Sequence, residues 1–221
     1  MKHLRNHLFS VAGVVGFLFL ALATASSNKN ENENSNRRPA PPANATTFTN
    51  SKTGLSGDLE KHYVDFSVSY PNSWKLDTAA GRGSSPNFMK VQRLTSNEVT
   101  VEQLAVGYFS GQRELMETLA GQLNNQFAGQ FPNYRKVSEG KTKIGPYDGY
   151  EIRFTGRTKT GAGDPLDVYG RVVLLAGDSD RNGATLLMMA TSESTDVNGP
   201  DDVGEKGELP ILLNSFRFGR D

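Results

Sequence analysis

The 221-residue sequence contains no cysteine, and this absence excludes several kinds of site. The chain has no disulfide, no thiol nucleophile and no thiolate ligand for zinc or an iron–sulfur cluster. It also lacks the lipid-modified cysteine by which bacterial lipoproteins are anchored. Any folded domain must therefore be held together by its hydrophobic core.

Histidine is almost as scarce, and two of the three histidines, His3 and His7, lie in the N-terminal segment. A catalytic serine–histidine arrangement elsewhere in the chain would have to use His62. His62 precedes the first predicted strand, and no serine lies in a nucleophile-elbow pattern. We therefore interpret His62 as an exposed residue at a strand edge. A single histidine also excludes a histidine-rich zinc site.

The chain has no excess of charge of one sign, since 24 basic residues balance 24 acidic ones. Residues 58–221 are slightly acidic. A nucleic-acid-binding domain usually presents a strongly basic surface. We therefore expect no nucleic-acid partner.

The N-terminus carries an export pattern. Lys2 and Arg5 give a basic start, residues 8–22 are uncharged, and Ala23-Thr24-Ala25 supplies small residues at the end. This pattern is typical of a secretory signal peptide, so we predict one at residues 1–25 and a periplasmic or extracellular protein. If the segment is not cleaved, it is long enough to anchor the chain in a membrane with the domain outside.

Composition divides the remaining chain into two regions. Residues 26–57 are rich in Asn, Pro and Ser and poor in large apolar residues. Such a segment buries too little surface to offset its ordering entropy, which predicts a disordered linker. Residues 58–221 are long enough to form one domain with a sizeable core.

Alternation of apolar and polar residues predicts strands in the domain. Residues 64–70 alternate with period two, which is typical of a half-buried strand. Similar patterns predict further strands at 88–94, 99–109, 134–144, 150–155, 168–175 and 184–191. Within 99–109 the alternation changes phase near Gln103, which indicates a β-bulge.

Two segments have helical patterns. Leu115, Leu119, Leu123 and Phe127 recur every four residues and predict an amphipathic helix over 110–130. A short second helix is expected at about 201–214. Because the strands follow one another through turns, we predict an α+β fold, with an antiparallel sheet of about six to eight strands sandwiched by helices.

Three short motifs resemble one family. Residues 66–74 read FSVSYPNSW, residues 145–151 read GPYDGYE, and residues 213–218 read LNSFRF. Their order is similar to that of PsbP-like and DcrB-like exported domains. The resemblance implies a helix–sheet–helix sandwich but no single function. Plant and cyanobacterial members are extrinsic photosystem II subunits that help retain calcium and chloride, and many bacterial members are exported proteins of unknown role.

One loop is a candidate cation site. Asp178, Asp180 and Asn182, followed by Gly183, match the first half of a calcium-binding loop, in which oxygens alternate along the chain. The twelfth position is Met189, where such loops place a bidentate glutamate. Asp, Asn and Gly also form ordinary hairpin turns, which remains the alternative.

Three aromatic residues allow either a core or a surface role. Trp74 follows the first apolar strand and is predicted to be a core anchor, with an exposed binding aromatic as the alternative. Tyr147 and Tyr150 lie at or beside the 145–149 turn, where they could form a recognition surface. The alternation of Tyr150 with Ile152 favours the core for that residue.

Together these features indicate an exported, non-enzymatic accessory domain. We expect a monomer without a cofactor that binds an unidentified envelope or extracellular protein. One alternative is a weak calcium- or small-ligand-binding protein, including a role like that of a photosystem II extrinsic subunit. Another is a hydrolase using two carboxylates, which would require a pocket holding two acids with shifted pKa values.

Overall fold

The computed structural model describes residues 44–77, 79–82, 85–110, 113–177 and 182–219. The predicted signal peptide, most of the predicted linker, and Asp178 and Asp180 lie outside these residues, so the predictions made for them stay predictions. The described strands are β1 (Ala45–Thr49), β2 (Phe66–Pro71), β3 (Lys75–Leu76), β4 (Asn87–Leu94), β5 (Thr100–Ser110), β6 (Arg135–Ile144), β7 (Tyr147–Lys159), β8 (Pro165–Leu175), β9 (Asn182–Thr191) and β10 (Arg217–Phe218). The described helices are α1 (Gly57–Lys61), α2 (Met116–Gln130) and α3 (Leu209–Ser215).

Seven of these strands form an antiparallel sheet in the order β3-β4-β5-β9-β8-β7-β6. Strands β6 to β9 pair consecutively through hairpins, and β9 then returns to pair with β5. A smaller antiparallel sheet has the order β1-β2-β10. The predicted α+β class and the antiparallel sheet are therefore confirmed.

The large sheet is covered on both faces. Along β8, Val172 and Leu174 pack in the cluster that contains α2, whereas Val173 and Leu175 pack in the cluster that contains β2 and α3. Successive side chains of a strand point to opposite faces, so α2 lies on one face of the sheet, and α3 and the small sheet lie on the other.

Strand β5 explains the change of phase near Gln103. Its pairing with β4 shifts register between Arg93 and Leu94, which pair with Glu102 and Thr100 and leave Val101 as the bulged residue. Residues 101–109 are all buried, because β5 is central and covered on both faces. The predicted bulge is therefore confirmed, and burial of both faces removes the alternation.

The prediction of a disordered linker is wrong near its C-terminal end. Within residues 26–57, the segment Ala45–Thr49 forms β1, which pairs with β2 over five residue pairs. Phe48 packs on Phe66 with a centroid separation of 5.9 Å. A threonine-rich strand gains its stability from main-chain hydrogen bonds and one such contact, so composition alone missed it.

The predicted helical stripe is also corrected. Leu115 is 47% exposed, since it lies in a 3-10 turn, Arg113–Leu115, that precedes α2. The buried stripe consists of Met116, Ala120, Leu123 and Phe127. At the C-terminus, α3 is shorter than expected because Gly204 and Gly207 adopt positive φ angles of 78° and 71°, which an α-helix does not allow.

Candidate functional site

Four aromatic rings hold α2 against one side of its sheet face. The ring of Phe154, on β7, is fully buried and stacks on Phe127 of α2 at a centroid distance of 5.2 Å. Phe131 and Tyr134, just beyond α2, lie 5.6 and 5.3 Å from the same ring. Helix α2 therefore packs mainly over β7 and β6, and no helix in the described part of the chain covers the end of this face around Gln92 and Gln103.

A cleft of about 880 Å³ occupies this uncovered part of the sheet. Its floor is formed by side chains of β4, β5, β8 and β9, and its rim by the turns at 95–99 and 158–165. Pockets that hold small ligands typically measure roughly 300–1,000 Å³. The cleft is therefore large enough for a small molecule or several residues of a peptide.

The floor of the cleft combines apolar side chains with two amides. Leu166, Val168 and Met189 supply a buried apolar surface. Gln103 is only 3% exposed, and its Oε1 accepts a hydrogen bond of 3.2 Å from Nε2 of Gln92. Among the residues that the structure describes, neither Nε2 of Gln103 nor Oε1 of Gln92 has a hydrogen-bond partner.

The rim of the cleft carries charges of both signs. Nζ of Lys75 lies 3.2 Å from Oε1 of Glu98 in an exposed ion pair. Lys159, Asp164 and Glu193 are the other charged residues among those described at the cleft, and all three are exposed. The rim therefore has no strong field of either sign.

His62 lies close to the predicted calcium loop. It is half-buried rather than exposed, which corrects the prediction, because its ring stacks on Tyr108 at 4.7 Å. Its Nδ1 lies 3.3 Å from Oδ1 of Asn182, the third candidate ligand of that loop. Within the described part of the chain, no group of three or more His, Asp or Glu side chains could hold a metal ion.

The three aromatic candidates lie away from the cleft. Trp74 is 4% exposed, which confirms the core prediction, and its Nε1 donates a 2.7 Å hydrogen bond to Oε2 of Glu208. Tyr150 is half-buried and packs in the α2 cluster with Ile152. The hydroxyl of Tyr147 accepts a 3.0 Å hydrogen bond from the backbone of Phe218. Their aromatic rings therefore contribute to packing.

The structure brings two acids, Glu102 and Glu208, to the same guanidinium group, that of Arg93, and buries the first of them. Glu102 is fully buried, and burial raises the pKa of its carboxyl group above the ordinary value. Its Oε2 accepts a 3.2 Å hydrogen bond from the backbone N–H of Glu208, and Nη2 of Arg93 lies 3.3 Å from Oε1. Gly207 packs directly over the carboxylate, where any Cβ would collide with it. The carboxylate of Glu102 is therefore closed to a substrate, whereas 34% of the Glu208 side chain is exposed.

A second buried charge cluster fixes the segment before α3. Oε2 of Glu151 lies 2.7 Å from Nη2 of Arg171, and Nη1 of Arg153 donates a 2.7 Å hydrogen bond to the carbonyl of Pro200. Glu205 lies 2.8 Å from Arg171. Burial opposes the charge of Glu151, but Arg171 and Arg153 outweigh it and hold its pKa below the usual range. These guanidinium groups attach residues 200–205 to the sheet.

Sequence reasoning did not find the cleft. Its floor combines strands that are distant in sequence, and its rim combines two turns whose composition is that of ordinary loops. The one local signal is Gln103, a glutamine directly before the uncharged, mostly apolar run 104–109. A polar residue in a buried strand requires a partner, and this one faces the cleft.

Among the comparisons with known proteins, the matches are with solved structures. No family model and no curated protein matches the chain. The solution structure of cyanobacterial PsbP (CyanoP) from Synechocystis sp. PCC 6803 matches 81% of this chain and 95% of its own, with 13% identity and a TM-score of 0.45. LpqN, described as involved in cell envelope biogenesis of Mycobacterium tuberculosis, matches 80% of this chain and 92% of its own, with 10% identity and a TM-score of 0.47.

At identities and TM-scores this low, neither likeness supports a conclusion about the function of this chain. In the described part of the chain, no helix combines the length and the apolar character that crossing a bilayer requires.

Proposed function

We propose that this protein is an exported, non-enzymatic accessory domain that binds another protein through the cleft. The cleft itself is the observation that carries the proposal. It lies where α2 leaves its sheet face uncovered, and it has a buried apolar floor with two amides that are only partly hydrogen-bonded. The basic start, the uncharged stretch and the small residues of 1–25 support export.

The chemistry of the cleft favours binding over catalysis. The described residues that line it include no histidine, and their carboxylates, Glu98, Asp164 and Glu193, are exposed at the rim. A hydrolase of the two-carboxylate type needs acids that face the substrate. Of the two acids that lie beside Arg93, Glu102 is fully buried beneath Gly207 and cannot face a substrate, so that pair lacks one of the two carboxylates.

A small molecule is the second candidate ligand. The volume of about 880 Å³ lies within the range of small-ligand pockets. A protein partner is favoured because the rim consists of two exposed turns at 95–99 and 158–165, which a larger partner would also contact.

Site-specific photo-crosslinking in the producing cells tests the proposal. A photoreactive amino acid is placed at Ala162, an exposed residue at the rim, and in a matched control at Ala128, an exposed residue of α2 outside the cleft. Both positions are on the surface, so neither change should disturb the core. Crosslinked products are then identified by mass spectrometry.

We expect a protein that is crosslinked from position 162 but not from position 128. Loss of this product when the unlabelled wild-type domain is overproduced would show that the site saturates. No protein adduct at 162, or the same adducts at both positions, would contradict the proposal. A small-molecule adduct at 162 alone would support the second candidate instead.

A further inference from the structure

We infer that the cleft binds an extended, uncharged peptide segment, and that Gln92 and Gln103 together recognise the main-chain N–H and C=O of one of its residues. This inference rests on the proposed function and specifies what part of the partner is bound. It depends on the arrangement of these two glutamines, on the apolar floor beside them, and on the charges of the rim.

The two glutamines form one donor–acceptor pair. They are register partners on β4 and β5, and Nε2 of Gln92 donates 3.2 Å hydrogen bonds to Oε1 of Gln103 and to Oγ1 of Thr100. Among the described residues, Nε2 of Gln103 is left as a donor and Oε1 of Gln92 as an acceptor, each without a partner. In an extended chain the N–H and C=O of one residue point to the same side, so one residue of a bound peptide offers both a donor and an acceptor to these atoms.

The burial of Gln103 leaves the cleft as the main access to its unpaired donor. Only 3% of the residue's surface is exposed, and the residue lines the cleft, so a partner for its N–H group would approach from there. Nε2 of Gln103 is not among the described side-chain atoms that are both fully buried and without a partner, so it is open to the cleft that the residue lines. A ligand in the cleft can therefore accept a hydrogen bond from it.

The floor beside the glutamines suits an apolar side chain of the same peptide. Val168 and Met189 lie on β8 and β9 and are 2% and 5% exposed. Met189 pairs directly with Gln103, so the apolar surface begins next to the amide. Methionine is flexible and polarizable, and it adapts to side chains of different shape.

The charges and the absence of aromatic rings disfavour other ligands. The Lys75–Glu98 ion pair neutralises one end of the rim, so the cleft offers no cluster of cations for a phosphate or a polyanion. No Phe, Tyr or Trp occurs among the described residues that line it, so it has no platform on which a nucleobase could stack. An uncharged peptide fits both conditions.

The test uses a displayed library of random twelve-residue peptides, selected on the protein purified from the exported fraction. The affinity of each selected peptide is measured by fluorescence anisotropy for the wild type and three variants. Gln103→Leu removes the amide. Gln126→Leu is the matched control, because Gln126 is a half-buried glutamine of α2 outside the cleft. Ala162→Trp blocks the rim from an exposed position.

We expect Gln103→Leu to weaken binding about tenfold, which is the usual effect of losing one hydrogen bond in a buried site. Gln126→Leu should leave the affinity unchanged, and Ala162→Trp should abolish binding. N-methylation of one peptide bond at the bound residue should reduce affinity as strongly as Gln103→Leu does. The methyl group replaces the main-chain N–H hydrogen that would otherwise be donated to Oε1 of Gln92.

The failure of this inference is distinguishable from that of the proposed function. One outcome would overturn the inference and leave cleft binding intact. In it, Ala162→Trp abolishes peptide binding, but Gln103→Leu binds the peptides as tightly as the wild type and N-methylation at any position has no effect. A library without any peptide sensitive to Ala162→Trp would also overturn it. The crosslinking at position 162 decides the proposed function independently.

Discussion

Gly170→Ala should test the packing that holds α2 in place. Gly170 lies on β8 opposite Phe154 of β7, and the tip of the Phe154 ring occupies the space that a Cβ at Gly170 would need. Phe154 is fully buried and contacts Phe127 of α2. The ring therefore lies over a neighbouring strand only because that strand has no side chain at this position.

The expected cost follows from two opposing effects. The backbone of Gly170 is not in the left-handed region, so alanine would gain about 0.4–1 kcal/mol by reducing the freedom of the unfolded chain. Overpacking a filled core costs about 1–3 kcal/mol, and the ring cannot move away without displacing Phe127. We therefore expect a net loss of about 1–2 kcal/mol in the free energy of unfolding.

A double-mutant cycle with Phe154→Leu separates this collision from other effects. Leucine lacks the ring-tip atoms, so in the Phe154→Leu background Gly170→Ala should retain only its gain of about 0.4–1 kcal/mol, and the coupling should equal the overpacking cost of about 1–3 kcal/mol. Urea unfolding followed by the fluorescence of Trp74, which is the one tryptophan and is 4% exposed, measures each variant. An equal cost of Gly170→Ala in both backgrounds would refute the reasoning.

Three further outcomes follow from described contacts or from the sequence. Burial raises the pKa of Glu102 above the ordinary glutamate value of 4.5. The wild type should therefore gain stability relative to Glu102→Gln as the pH falls from that raised pKa to 4.5, and parallel curves of stability against pH would contradict this. Trp74→Phe removes the bond to Glu208 and should cost about 1–2 kcal/mol in urea unfolding, whereas an unchanged midpoint would show the bond contributes little. If the loop at Asp180 binds calcium, millimolar calcium should raise the Tm of the wild type but not of Asp180→Ala.

Much of the sheet could be predicted from the sequence because its hydrophobic pattern is local. Val64, Phe66 and Val68 alternate with polar residues, and the strand they predict is β2. The strand predicted at 134–144 is confirmed by β6, which spans Arg135–Ile144 at the edge of the large sheet. Each prediction depends only on neighbours in sequence, so the tertiary structure does not alter it.

The errors arise where the tertiary structure overrides a local pattern. Residues 45–49 form β1 because the edge of β2 supplies hydrogen-bond partners, which composition does not reveal. Leu115 lies out of the helical stripe because a 3-10 turn changes the period before α2 begins. The candidate site needed both the register of Gln92 with Gln103 and the position of α2, and neither is encoded within a short window of sequence.

The small sheet has a mechanical consequence. Strands β1 and β10, close to the two ends of the described chain, both pair with β2 and run antiparallel to it. Tension applied along β1 through the N-terminus would load the five residue pairs of the β1–β2 ladder in shear, so that its hydrogen bonds resist together rather than one after another. If the N-terminus is the tether to the cell surface, this ladder is the element that transmits the load to the rest of the domain.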